Sequence, residues 1–132
     1  MSLRFMLDTD TVSFALRGVG RVAQRLLAVK PSEVCISSLT LAELRFGAEQ
    51  RRSRRLHRMI AVFTSPLLVA PFDAAAADRF GHIGAILARG GTPIGQIDTL
   101  IAAHALALNV TLVSNNARHF EKVRGLRTDN WL

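Results

Sequence analysis

Apolar residues fall along this chain in two alternating kinds of run. Residues 3–7, Val34–Ser37, 67–70 and 110–114 are short, mostly apolar and of strand length; the first is broken only by Arg4 and ends at Asp8. The stretches between them carry apolar positions at helical spacing. A helix is predicted from Asp8 through Leu16, and a second over about residues 21–29, after Gly18 and Gly20 and closed by Pro31. Residues 39–50 follow the second strand with Ser38 or Thr40 as cap, and a basic helix is predicted over about residues 53–63. Asp73 caps a long helix that runs to the Arg89-Gly90-Gly91 stop. Residues 97–108 are apolar almost all round, the pattern of a helix buried between layers. A turn at Asn115 and Asn116 leads to a short helix near Phe120, and the last residues supply a candidate edge strand.

Strands alternating with helices predict an α/β chain whose mostly parallel central sheet, of four to five strands, is covered on both faces. At 132 residues this is one domain, spanning 1–132, too short for a separate substrate domain. Charge adds a partner class. Seventeen Lys and Arg against ten Asp and Glu give a net +7, while 49% of residues are hydrophobic, so this is a folded basic protein rather than a basic tail. Nucleic acid is the leading partner; the alternative is that surplus Arg only keeps an apolar protein soluble. The one cysteine, Cys35 between Val34 and Ile36, excludes an internal disulfide and a thiolate zinc cluster and fits a reducing cytoplasm. No run approaches the roughly 20 apolar residues of a membrane span, and no signal peptide is expected.

With acids so few, three positions stand out. Asp8 ends the first apolar run. Glu43 has Leu39 four residues before it and Phe46 three after, which places its carboxylate on an apolar helix side. Asp98 opens the helix with no polar side. Each has an ordinary structural reading: Asp8 and Asp98 as helix caps, Glu43 as the partner of a nearby Arg, and Asp10 as a first-turn acid favoured by the helix dipole. Yet ligands in open α/β sheets collect beyond the carboxyl ends of the strands, where such acids converge. Converging carboxylates call for a hard divalent cation, magnesium or manganese. Asn116, just past strand four, is a turn former that supplies a neutral oxygen there, and Ser114 at the end of that strand is a candidate accessory group.

Other chemistries fit less well. His57, His82, His104 and His119 lie on different predicted helices without ligand spacing, which argues against zinc, and His104 on the buried helix reads as a core histidine. No phosphate-cradling glycine loop is present, and Ser37 and Ser38 lack an obvious base. Arg51, Arg52, Arg54, Arg55 and Arg58 fall on one predicted helix, either as phosphate contacts or as a solvated face. No Tyr and one Trp argue against a base-stacking single-strand binder.

Four blocks carry a resemblance: FMLDTDTVSFALRG from Phe5, CISSLTLAELRFGAE from Cys35, GTPIGQIDTLIAAHAL from Gly91 and TLVSNNARHFEKVRGLRTDNW from Thr111. In this order and spacing the chain resembles the PIN-domain ribonucleases, and among them the VapC-type toxins of toxin–antitoxin systems. The resemblance implies a three-layer α/β/α fold and a magnesium- or manganese-dependent endoribonuclease. Asp8, Glu43 and Asp98 match the family acids, with Asp8 and Asp98 as direct metal ligands and Glu43 direct or through water. Asn116 occupies the fourth position, where many relatives carry Asp, and Asp10 stands where relatives usually carry Asn. In the family, metal-activated water attacks the phosphodiester in line, leaving a 5′-phosphate and a 3′-hydroxyl. The closing GLRTDNW segment points to transfer RNA, with the anticodon loop of initiator transfer RNA favoured. A homodimer is implied too, and an antitoxin whose tail occupies the acidic groove.

Two rivals belong to other classes. FMLDTDTV also fits the strand-one motif of haloacid-dehalogenase-like phosphatases, with Asp8 as nucleophile and Ser37 or Ser38 as second motif. That site needs a Lys and a pair of acids after strand four, whereas the only lysines are Lys30 and Lys122 and strand four leads to Asn115 and Asn116. A non-catalytic module that holds RNA or protein would be free to lose an acid, and this chain keeps all three.

Overall fold

The computed structural model describes residues 2–132. The chain runs β1 (Phe5–Leu7), α1 (Thr9–Leu16), α2 (Val22–Leu27), β2 (Val34–Ser37), α3 (Ser38–Gln50), α4 (Arg54–Thr64), β3 (Leu68–Ala70), α5 (Ala74–Arg89), α6 (Gln96–Leu108), β4 (Thr111–Val113), α7 (Ala117–Phe120) and β5 (Thr128–Asp129). All five strands are parallel, in the order β3-β2-β1-β4-β5. The edge strand expected at the end of the chain is therefore β5, paired with β4 through Leu112↔Thr128 and Val113↔Asp129.

Strand alternation divides the interior into two cores. Met6, Cys35 and Leu112 point to one face, where α5 and α6 bring Ile83, Leu87 and Ile101. Leu7, Ile36 and Val113 point to the other, where α1 to α4 bring Val12, Leu44 and Ile60, and where Trp131 also packs. Both faces are thus covered, as a parallel sheet requires. Burial pushes the Cys35 thiol up to about 12, so it is a small core residue without thiolate chemistry.

Helix ends show why some boundaries differ from the sequence reading. The cap of α3 is Ser37, whose hydroxyl accepts the Leu39 N–H at 3.1 Å, rather than Ser38 or Thr40. Ser38 instead accepts the Phe72 N–H, tying α3 to the loop after β3, and Thr40 is buried inside the helix. Asp73 caps α5 as expected, accepting the Ala76 N–H at 3.1 Å. The apolar helix is α6, with Ile101, Ala102, Ala103, His104 and Ala105 all buried.

His104 is a core histidine: its Nδ1 lies 2.8 Å from Ser37 Oγ and its ring meets Phe72 edge-on. Ser37, without an obvious base along the chain, has one in His104, but both residues are sealed from solvent, so the pair braces β2 against α6 and cannot reach a substrate. Burial lowers the His104 pKa, opposed by the Asp73 charge and the Pro71 carbonyl. A histidine depressed in the fold contributes stability that is complete above its unfolded pKa, near 6.5, and is lost as pH falls through the folded value. Melting temperature is therefore expected to hold above pH 7 and decline below 6.5. In a pH series of thermal unfolding, His104→Asn should show a shallower decline while melting lower than wild type at pH 8.

Candidate active site

The strand order fixes where a ligand would sit. The chain builds β1, β2 and β3 outward in one direction, then returns across the sheet to place β4 on the other side of β1. The crevice beyond the carboxyl ends of β1 and β4 lies at this reversal, the position favoured for ligands in open α/β sheets. Asp8 follows β1 and Ser114 follows β4, and the Asp8 N–H donates to the Val113 carbonyl at 3.0 Å.

Asp8 is both a cap and a buried acid. Its Oδ1 accepts the Thr11 N–H at 2.8 Å, capping α1, yet the residue is only 7% exposed. Burial pushes its carboxyl above the usual range; hydrogen bonds from Thr11 and Ser114 pull the other way, and the Asp10 charge adds to the rise. Ser114, fully buried beside it, also accepts the Asn116 N–H at 3.0 Å.

Glu43 is held differently from the sequence reading. The buried face of α3 is Thr40, Leu44 and Ala48; Glu43 is half-buried and Phe46 is 67% exposed, so the carboxylate is not packed among apolar neighbours. Its partner is Thr9, next to Asp8 in the chain, and not an Arg. Thr9 Oγ1 also lies 3.2 Å from Thr40 Oγ1. A hydroxyl has one proton, so Thr40 donates to Thr9 and Thr9 to Glu43, a relay that fixes Glu43 against the start of α1. Beside it a cleft of 320 Å³ is lined by Asp10, Ser13, Arg17, Glu43 and Arg51, with Leu56 and Ile60 in its floor.

Asp98 does not cap its helix. The cap position of α6 is Gly95, at φ 96°, a conformation that L side chains rarely adopt, and Asp98 is the third helical residue with a side chain 43% exposed. Its Oδ2 lies 2.9 Å from His119 Nε2 on α7. His119 was discounted in the sequence for lack of zinc spacing; its place three residues past Asn116, on the short helix after β4, was the available signal. Asn116 is exposed at the cap position of α7 without a side-chain capping bond. Its neighbour Asn115 carries a buried Oδ1 with no hydrogen-bond partner among the described residues.

The arginine run is not one helix face. Arg51 is the C-cap of α3, Arg52 takes a left-handed φ of 52°, and Ser53 caps α4 by accepting the Leu56 N–H, leaving only Arg54, Arg55 and Arg58 on the helix. The break arises because the first helix must end before Ser53 can start the second. Arg51 lines the Glu43 cleft together with Arg17, a residue the sequence did not single out, whereas Arg55 and Arg58 line a separate hollow with Met59, Val62 and Phe63.

Asp8 and Ser114 thus meet at the strand ends, Glu43 joins them through Thr9, and Asp98 is tied through His119 to the segment that follows β4. These are oxygen donors, which suit a hard cation rather than zinc. Among the described residues no Lys or Arg pairs with Asp8, Asp10 or Glu43, so their charge is left for a cation from outside. No three His, Cys, Asp or Glu groups among the described residues form a ready-made metal cage, and an ion here would complete its shell with water, as magnesium does readily.

The PIN domain family matches residues 5–126. The tRNA(fMet)-specific endonuclease VapC of Shigella flexneri is 42% identical over 132 residues, 98% of each chain. Ribonuclease VapC2 of Haemophilus influenzae (strain ATCC 51907 / DSM 11121 / KW20 / Rd) is 40% identical over 133 residues, 98% of this chain and 99% of that one. Among solved structures, VapBC2 from Rickettsia felis bound to a DNA fragment from its promoter superposes with a TM-score of 0.92 at 30% identity, covering 98% of this chain and 100% of that one. DNA-bound VapBC from Salmonella typhimurium gives 0.88 at 42% identity, covering 98% and 99%. Likeness of this extent in both sequence and fold leads to one conclusion: the chain belongs to the PIN-domain family, in its VapC group.

Proposed function

We propose that this chain is the toxin of a toxin–antitoxin pair, a divalent-metal-dependent endoribonuclease that cuts transfer RNA and is restrained by a VapB-type antitoxin. The observation that carries the chemistry is Asp8: a buried carboxylate at the reversal of a parallel sheet, flanked by Ser114 and, through Thr9, by Glu43, with no basic side chain among the described residues to neutralise it. The relatives named above, similar over nearly the whole chain, support the reading.

Asp8 and Asp98 would hold the ion, magnesium or manganese, with Glu43 as a further ligand or as acceptor for a bound water. Such an ion, when bound, would supply a water of lowered pKa and an offset for charge on the phosphate. Asp8 contributes a fixed carboxylate because the Thr11 N–H and Ser114 hold it in place, and Glu43 is kept in register by the Thr40–Thr9 relay. Asn116 offers a neutral oxygen at the fourth corner. Arg51 and Arg17 flank the Glu43 cleft as candidate phosphate contacts, while Arg52, Arg54, Arg55 and Arg58 supply a broader basic surface. Leu27, Phe46 and Val62 are large exposed apolar residues, in keeping with a homodimer and an antitoxin face. No helix among the described residues is long and apolar enough to cross a membrane; a cytoplasmic location belongs to the same reading, since transfer RNA is the substrate proposed.

The phosphatase alternative has little left to use: Ser37 is sealed, Lys30 and Lys122 are exposed, and β4 leads directly into Ser114, Asn115 and Asn116 rather than a pair of acids. Purified protein, freed of antitoxin, is expected to cut total cellular RNA into discrete fragments with magnesium or manganese. EDTA and Asp98→Asn should each suppress the cutting. Cleavage that persists in EDTA would overturn the metal reading, and folded protein that cuts no RNA with either ion would overturn the nuclease.

A further inference from the structure

We propose that His119 is the positioning residue of Asp98, and that its imidazole edge, held against the carboxylate, sets the affinity of the site for a divalent cation; this rests on the reading of Asp98 as a metal ligand. Asp98 lies in the first turn of α6 with a side chain 43% exposed, and its contact with His119 Nε2 at 2.9 Å is the one polar side-chain contact it makes among the described residues. Left alone, an exposed Asp samples several rotamers, and a ligand that must be ordered on binding costs affinity.

His119 is itself fixed from two sides. Its Nε2–H is aimed at the Ile94 carbonyl, 2.7 Å away in the loop just before α6, and its ring stands edge-on to Phe120 at 5.4 Å. Phe120 is 2% exposed and belongs to the core shared with α5 and α6. The imidazole therefore locks α7 to the start of α6, and one oxygen of Asp98 rests against a nitrogen that the core and a backbone carbonyl hold still. The other carboxylate oxygen stays available to a cation. The Nε2–H is given to Ile94 O, and Asp98 Oδ2, 2.9 Å from the same nitrogen, lies beside the positive end of that N–H dipole, which steers the carboxylate. Groups that orient a ligating carboxylate in this way are typically worth about 10- to 100-fold in metal affinity.

The test is manganese titration of metal-free protein by calorimetry, with thermal unfolding in EDTA as the control for folding. His119→Leu, which keeps bulk and loses the N–H, is expected to weaken manganese binding about 10- to 100-fold. It should also raise the magnesium concentration for half-maximal RNA cleavage by a similar factor. His119→Gln, whose amide nitrogen reaches the place of Nε2, should recover most of the affinity. Should His119→Leu not fold, His119→Phe keeps the ring edge against Phe120 without the donor. Manganese affinity unchanged in the donor-less variant, or equally poor in His119→Gln, would overturn the role of His119 while leaving the metal site standing. Wild-type protein that binds no manganese would instead remove the metal reading itself, and this proposal with it.

Discussion

Asp8→Asn is expected to lose RNA cleavage by on the order of a thousandfold while melting at a higher temperature than wild type in EDTA. On the proposed reading of Asp8 as a direct ligand, its removal forfeits several kcal/mol of metal-based transition-state stabilisation, at tenfold in rate for each 1.4 kcal/mol or so. The gain in stability follows from the same burial. The carboxyl is raised in the fold, so the stability linked to its protonated form is present below the unfolded pKa, near 3.8, and is lost as pH rises through the folded value. At neutral pH the carboxylate is thus a cost to the fold, and Asn removes the charge while capping α1 as well as Asp does. Adding magnesium should stabilise wild type more than the variant, since an ion that binds only the folded state adds to its stability. A variant less stable than wild type in EDTA would show that the carboxylate holds the fold, not an ion.

Trp131→Ala is expected to be the most destabilising single substitution, at about 3–5 kcal/mol, the usual cost of removing a buried Trp. Trp131 is 2% exposed, meets Phe5 edge-on at 5.0 Å, carries the Arg25 guanidinium 5.3 Å from its ring and donates its Nε1–H to Asp129 at 3.1 Å. The effect reaches the site. β5 has only two residues, and the Ser114 N–H donates to the Asp129 carbonyl at 2.9 Å, so loosening β5 releases the backbone beside Asp8. For a chain of this size the melting temperature should fall by about 10–20 °C. Trp131→Phe, which keeps a ring in the core and loses the N–H, should cost far less. Equal losses in the two variants would mean that the hydrogen bond, not the packing, holds this corner.

Most elements were legible because their signals are local. Alternation and length marked the four longer strands, and Asp73 and the Gly90-Gly91 stop bounded α5. What the sequence misplaced depends on contacts between elements. Glu43 was read by its helix neighbours, but its partner Thr9 is 34 residues away. Asp98 looked like a cap because an acid preceded an apolar helix, whereas Gly95, free to take positive φ, had already turned the chain. The arginines read as one face because their spacing is helical and the break at Arg52 is a single backbone angle. His119 was passed over because its one signal was its place three residues past Asn116, and no spacing to another histidine marked it.

The relay from Thr40 through Thr9 to Glu43 joins the start of α3 to the start of α1, and the bond between His119 and Ile94 joins α7 to the loop before α6. Glu43 and Asp98 thereby each meet a segment distant in sequence from their own. On the proposed reading, no fragment holding only some of these segments would contain the full set of ligands, because the neighbours of these two carboxylates arrive only with the complete sheet. Cutting ability would then report on cooperative folding as a whole: loosening one clamp is expected to blunt the nuclease before it unfolds it, and a half-made chain to leave the RNA around it uncut.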